Sequence, residues 1–121
     1  MARPSNELIS KYLTTAEAAG RLKMRRQRLK NRIRAHQFPK APFIDETGCA
    51  AFTEQWVRMA KLIILCEKGK ITQWELRNEL IAMGYIDEDA SRSTPIEEFE
   101  FWTREPERIV TNDTATKSHQ P

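Results

Sequence analysis

Nine cations stand between Gly20 and Lys40: Arg21, Lys23, Arg25, Arg26, Arg28, Lys30, Arg32, Arg34 and Lys40, with no Asp or Glu among them. Guanidinium and ammonium groups at this density bind anions, and their order says which kind. A solvated helix face normally alternates sign, because opposite charges at i,i+4 each add about 0.2–0.5 kcal/mol and like charges cost similar amounts. Here Arg21/Arg25, Arg26/Lys30, Arg28/Arg32 and Lys30/Arg34 are all like pairs. An array of phosphates relieves that repulsion, which points to a nucleic acid. A plain solvated charge run is the competing reading.

Two amides interrupt the cations, and a helical wheel at about 100° per residue places them. With Leu29 and Ile33 turned to the core, the outward centre falls near Asn31, flanked by Gln27, Ala35, Arg34 and Arg28. Arg25, Arg26, Lys30 and Arg32 occupy the shoulders. In a major groove, amide side chains pair bidentately with adenine and arginine with guanine. Shoulder cations lie where the groove walls present phosphate. Solubility alone is the alternative role for Gln27 and Asn31.

Other chemistry finds no support. The sequence has no glycine-rich phosphate loop, no metal-ligand cluster and no Ser/His/Asp or Cys/His set, so neither an enzyme, a metal nor a cofactor is expected. Cys49 and Cys66 are the only cysteines. Cys66 closes an apolar stretch and reads as a buried free thiol, with a Cys49–Cys66 pair as the alternative. His36 and His119 lack ligand spacing. No apolar run reaches the roughly 18 residues of a membrane span, and the start lacks the apolar run of a signal peptide. A reducing cytoplasm is expected.

The elements that must position these residues are marked by caps and breakers. Thr14-Thr15-Ala16-Glu17 is a capping box opening a short helix to about Arg21. Lys23-Met24 makes a turn, and a second helix runs from about Arg25 to Ala35. Phe38-Pro39-Lys40-Ala41-Pro42 breaks helix twice. Phe43-Ile44 and Cys49 to Phe52 flank Asp45-Glu46-Thr47-Gly48 as a small hairpin, with Gly48 at the left-handed position. Thr53 caps a longer helix ended by Gly69. Thr72-Gln73-Trp74-Glu75 opens another, closed by Gly84. Thr94-Pro95-Ile96-Glu97 is a third box with proline at its favoured first position. From Glu105 the chain is polar and expected to be disordered.

Charge is segregated along this order. Residues 1–40 carry eleven basic and two acidic groups, and residues 85–121 four basic and nine acidic, within a net charge of +3 for 121 residues. An anionic partner is therefore expected at one end only. The acidic aromatic stretch Glu97 to Trp102 is read first as a cap on the protein's own core through Ile96, Phe99 and Trp102; as a functional element it would be a protein-docking segment, or a mimic that occupies the basic helix when DNA is absent.

Tyr12-Leu13-Thr14-Thr15-Ala16-Glu17-Ala18-Ala19, with Leu22, Met24, Arg26, Leu29, Arg32 and Ile33, resembles the opening of the excisionase-like, MerR-like winged helix-turn-helix DNA-binding domains. The likeness covers about residues 12–62. It implies a winged helix-turn-helix with one small β-hairpin as the wing; with the caps and composition beyond it, the expected fold is mostly α, with two or three further helices and a disordered tail. The expected layout is an arm at 1–11, the DNA-binding domain at 12–68, a helical extension at 69–104 and a tail at 105–121. Taken with the wheel, base contacts are expected from Arg26, Gln27, Arg28 and Asn31. Phosphate contacts are expected from Thr14, Lys23, Arg25, Lys30, Arg32, Arg34 and Lys40. Three departures stand out. Lys23 replaces the turn glycine, Arg25 replaces the serine cap of the second helix, and the wing tip is the acidic pair Asp45-Glu46, which argues against a wing contact with phosphate. The implied function is sequence-specific binding of double-stranded DNA by a phage- or plasmid-type regulator or recombination accessory factor, with a homodimer as one form. Packaging recognition in the manner of small terminase subunits, and a protein-interaction or inhibitor role through the acidic segment, are the alternatives.

Overall fold

The computed structural model describes residues 12–109, so the expected arm at 1–11 and the tail beyond Ile109 lie outside the described residues. The chain is mostly helical, with a small three-stranded sheet. In order, it forms α1 (Thr15–Arg21), α2 (Arg26–Arg34), β1 (Phe43–Ile44), β2 (Ala50–Ala51), α3 (Glu54–Glu67), α4 (Gln73–Ala82), a 3₁₀ turn (Ile96–Glu98), α5 (Glu100–Thr103) and β3 (Glu107–Arg108).

Local chemistry sets most of these boundaries. At α1, Thr14 Oγ1 accepts from the Glu17 amide at 3.0 Å, while Glu17 Oε1 accepts from the Thr14 amide at 2.8 Å. The same reciprocal box opens α4, between Thr72 and Glu75. Thr53 caps α3 through the Trp56 amide. Each satisfies backbone N–H groups that a helix start otherwise leaves unpaired. The third box does not form. Pro95 caps only a 3₁₀ turn, without a side-chain hydrogen bond. The Thr94 amide, which such a box would give to Glu97, donates instead to Ser91 O at 3.4 Å, and the Thr94 carbonyl accepts from the buried guanidinium of Arg77 at 3.3 Å.

The core is one cluster running from Leu13 and Ala18 through Leu29, Phe38, Phe52 and Trp56 to Leu80, Ile96 and Trp102. Trp56 is its hub, edge-on to Phe52 at 4.7 Å and to Phe38 at 5.9 Å. Its indole N–H donates to the Lys40 carbonyl at 3.2 Å. Arg58 reaches Glu79 at 3.8 Å, linking α3 to α4.

Three expectations about the C-terminal part are corrected. Ile96 and Trp102 are buried, and Phe99 is partly buried under the Arg77 guanidinium at 5.2 Å. These side chains complete the core rather than present a docking face, because α4 and the segment before β1 leave an apolar surface that they cover. The sheet also has three strands, not a lone hairpin. β1 pairs antiparallel with β2 and parallel with β3, in the order β2-β1-β3. The Glu107 amide donates to Pro42 O at 3.0 Å and the Ile109 amide to Ile44 O at 2.8 Å. The stretch expected to be disordered from Glu105 thus begins with a strand, because residues 105–109 satisfy carbonyls at β1 that would otherwise be left to solvent. Among the described residues no helix is long and apolar enough to cross a membrane.

Candidate nucleic-acid interface

α1 and α2 meet at a tight turn whose geometry depends on an unusual residue. Lys23 has φ 60, and its amide donates to Gly20 O while the Met24 amide donates to Ala19 O, both at 3.0 Å. This is the paired closure of a helix end through one left-handed residue. α2 ends the same way at His36, φ 64, with its amide on Ile33 O and the Gln37 amide on Arg32 O. The entry to α2 is uncapped. Arg25 stands at the N-cap with extended backbone and makes no side-chain cap bond.

Leu29 is fully buried and Ile33 partly so, which turns the rest of α2 outward. Arg26, Gln27, Arg28 and Asn31, the four expected base readers, are all exposed. Gln27 Nε2 donates to Asn31 Oδ1 at 3.1 Å, and Arg34 Nη1 donates to the same oxygen at 3.3 Å. The amides therefore form a linked crest rather than two independent groups. Arg26 stands apart from it, on the side facing the β1–β2 hairpin.

The expected phosphate-binding residues divide into two sets. Lys23, Arg25, Lys30 and Arg34 are exposed, and with Arg26 and Arg28 they make six cations that, among the described residues, have no carboxylate partner. Thr14 is exposed, with its hydroxyl engaged in the capping box. Arg32 does not belong with them. Its side chain is only 12% exposed, pairs with Glu67 of α3, donates from Nε to Gln37 Oε1 at 2.9 Å, and stacks 4.2 Å from the Phe38 ring centre. That guanidinium fastens α2 to α3. Lys40 is paired too, with Glu105 at 2.6 Å. Arg21 pairs with Glu54, which raises its pKa further.

A groove of about 1070 Å³ runs between α2 and the hairpin. Arg26, Lys30, Arg34 and Lys40 line one wall, Thr14 and Ala16 the start of α1, and Ile33 and Phe52 part of the apolar floor. No family model, curated protein or solved structure matches this chain. What the surface does must therefore be argued from its own chemistry.

The hairpin tip closes on itself. Asp45 Oδ1 accepts from the Thr47 hydroxyl at 2.6 Å, the Thr47 amide at 2.8 Å and the Cys49 amide at 3.0 Å. These bonds, the Thr47 hydroxyl first, hold its carboxyl below the usual carboxylate range. Gly48, φ 87, supplies the left-handed residue of the turn. A carboxylate fixed at this tip repels phosphate. Among the described residues, no three His, Cys, Asp or Glu side chains gather as a metal ligand set would. Both cysteines are free, and burial raises the Cys66 thiol pKa.

The wheel did not foresee the groove, the Arg32–Glu67 pair or the Lys40–Glu105 pair. The partners lie 35 and 65 residues away, beyond any local pattern.

Proposed function

We propose that this chain is a small sequence-specific DNA-binding protein of the winged helix-turn-helix type, with α2 as the helix that enters the major groove. In this reading the β1–β2 hairpin is a reduced wing that takes no phosphate. The observation that carries the reading is the set of six exposed cations, on α2 and the turn that leads into it, that surround an amide crest and have no carboxylate partner among the described residues. Like charges so placed repel one another in the free protein, and a polyanion relieves the repulsion. The Gln27–Asn31 crest supplies hydrogen-bonding groups suited to base edges, flanked by Arg28. The biological role that suits such a protein is that of a transcriptional regulator or a recombination accessory factor, acting without catalysis. The burial of Ile96 and Trp102 removes the surface on which a purely protein-docking reading depended.

The test is selection of bound duplexes from a random pool, followed by titration of the enriched site across salt concentrations. Four phosphate contacts at about 0.9 each, from Lys23, Arg25, Lys30 and Arg34, give a log–log slope of about −3.6. Gln27→Ala, Arg28→Ala and Asn31→Ala should each cost about 1–3 kcal/mol on the enriched site and much less on random duplex. A slope shallower than about −2 would defeat the phosphate assignment. An unenriched pool would defeat sequence reading. Paired half-sites in the enriched motif would identify a homodimer.

A further inference from the structure

Residues 105–109 are lightly tied to the fold yet sit against its most cationic surface. β3 is held to β1 by the two backbone hydrogen bonds from Glu107 and Ile109, and both strand residues are exposed. Glu105 and Pro106 nevertheless line the groove between α2 and the hairpin, beside Arg34, His36 and Lys40. Of the four groove cations, Arg26, Lys30 and Arg34 have no carboxylate partner among the described residues, whereas Lys40 Nζ meets Glu105 Oε2 at 2.6 Å. That pair is open to water, with Lys40 35% and Glu105 81% exposed. Exposed pairs of this kind are weak and easily exchanged.

We infer that residues 105–109 form a displaceable latch on the groove, in which Glu105 occupies Lys40 until a DNA phosphate takes its place. This rests on the DNA reading above and adds regulation of the same surface by the chain's own C-terminal strand.

The experiment is a fluorescence-anisotropy titration of a labelled duplex at fixed salt, using the full chain and a double-mutant cycle. The four proteins are the unmodified chain, Glu105→Gln, Lys40→Gln and the double variant. Both sites are on the surface, and thermal melts verify that each variant folds. Glu105→Gln should bind about two- to fivefold more tightly, the range in which an exposed ion pair competes. In the Lys40→Gln background the same substitution should change nothing, because the cation it releases is gone. An unchanged affinity for Glu105→Gln, or a gain that persists without Lys40, overturns the latch while leaving DNA binding intact. Failure of all four proteins to bind any duplex refutes the DNA reading and takes the latch with it.

Discussion

Replacing Lys23 with glycine should make the protein more stable and a poorer DNA binder in the same step. Lys23 holds φ 60 at the close of α1, where a side chain bearing Cβ crowds the following carbonyl at a cost of about 1–2 kcal/mol. Glycine removes that cost but loses about 0.4–1 kcal/mol through its freer unfolded chain. The net gain is about 0.5–1 kcal/mol, a rise in melting temperature of roughly 2–8 °C for a unit of this size. Gly69 provides the reverse control. It closes α3 with φ 77, and a Cβ built there meets nothing within 4 Å, so Gly69→Lys should show the backbone cost alone, with a lowered melting temperature. On DNA, loss of the Lys23 ammonium should flatten the salt slope by about 0.9, as one missing phosphate contact requires. Thermal melts by circular dichroism and anisotropy titrations at several salt concentrations read the two effects separately. The reasoning fails if Lys23→Gly melts no higher than the parent, since strain at the turn would then be absent. Unchanged affinity and slope would remove Lys23 from the interface.

Arg32→Ala and Lys30→Ala should part company although both lie on α2. Arg32→Ala should lower stability by about 1–3 kcal/mol, because it removes a largely buried, charge-bonded guanidinium. Lys30→Ala should melt like the parent and flatten the salt slope by about 0.9. Arg77→Met should destabilise by about 2–3 kcal/mol in urea unfolding, because the Ser91, Thr94 and Ala90 carbonyls lose their donor; an unchanged midpoint would show those bonds to be dispensable. Asp45 carries a depressed pKa in the folded state, so its contribution is present above its unfolded value near 3.9 and lost as pH falls through the lower folded value. The Thr47 and Cys49 amide signals should therefore move only below about pH 4, and Asp45→Ala should abolish that transition.

Elements whose cause is local were legible in the sequence. The boxes at Thr14 and Thr72 depend on residues three positions apart, and both form as the sequence implies. The box at Thr94 has the same pattern and does not form; its amide is given to Ser91 O, and Arg77 holds its carbonyl from 17 residues away. β3 was illegible for a related reason. Two exposed residues, Glu107 and Arg108, carry no alternation, and their pairing is dictated by the open edge of β1. The exposed cations and the amide crest followed from the wheel, since Leu29 and Ile33 orient α2. What the wheel could not tell was which cations other elements would claim. Arg32 and Lys30 look equivalent on it, and contacts with Glu67, Gln37 and Phe38 separate them.

Trp102 ties the C-terminal segment to the exit of α2. Its indole N–H donates to His36 O at 3.1 Å, and its own carbonyl accepts from the Lys40 amide at 3.1 Å. The exit of the basic helix is thus bracketed by a residue made sixty-two positions after Lys40. At about 5–20 residues per second, roughly 3–12 s of synthesis separate the two. Throughout that interval a nascent chain displays every cation of α2 while the bracket that seats the helix does not yet exist. Translation that halts before Trp102 yields a polybasic fragment, and full-length synthesis yields a seated helix, so completion of the C-terminal segment acts as a timer on when the surface becomes a defined one.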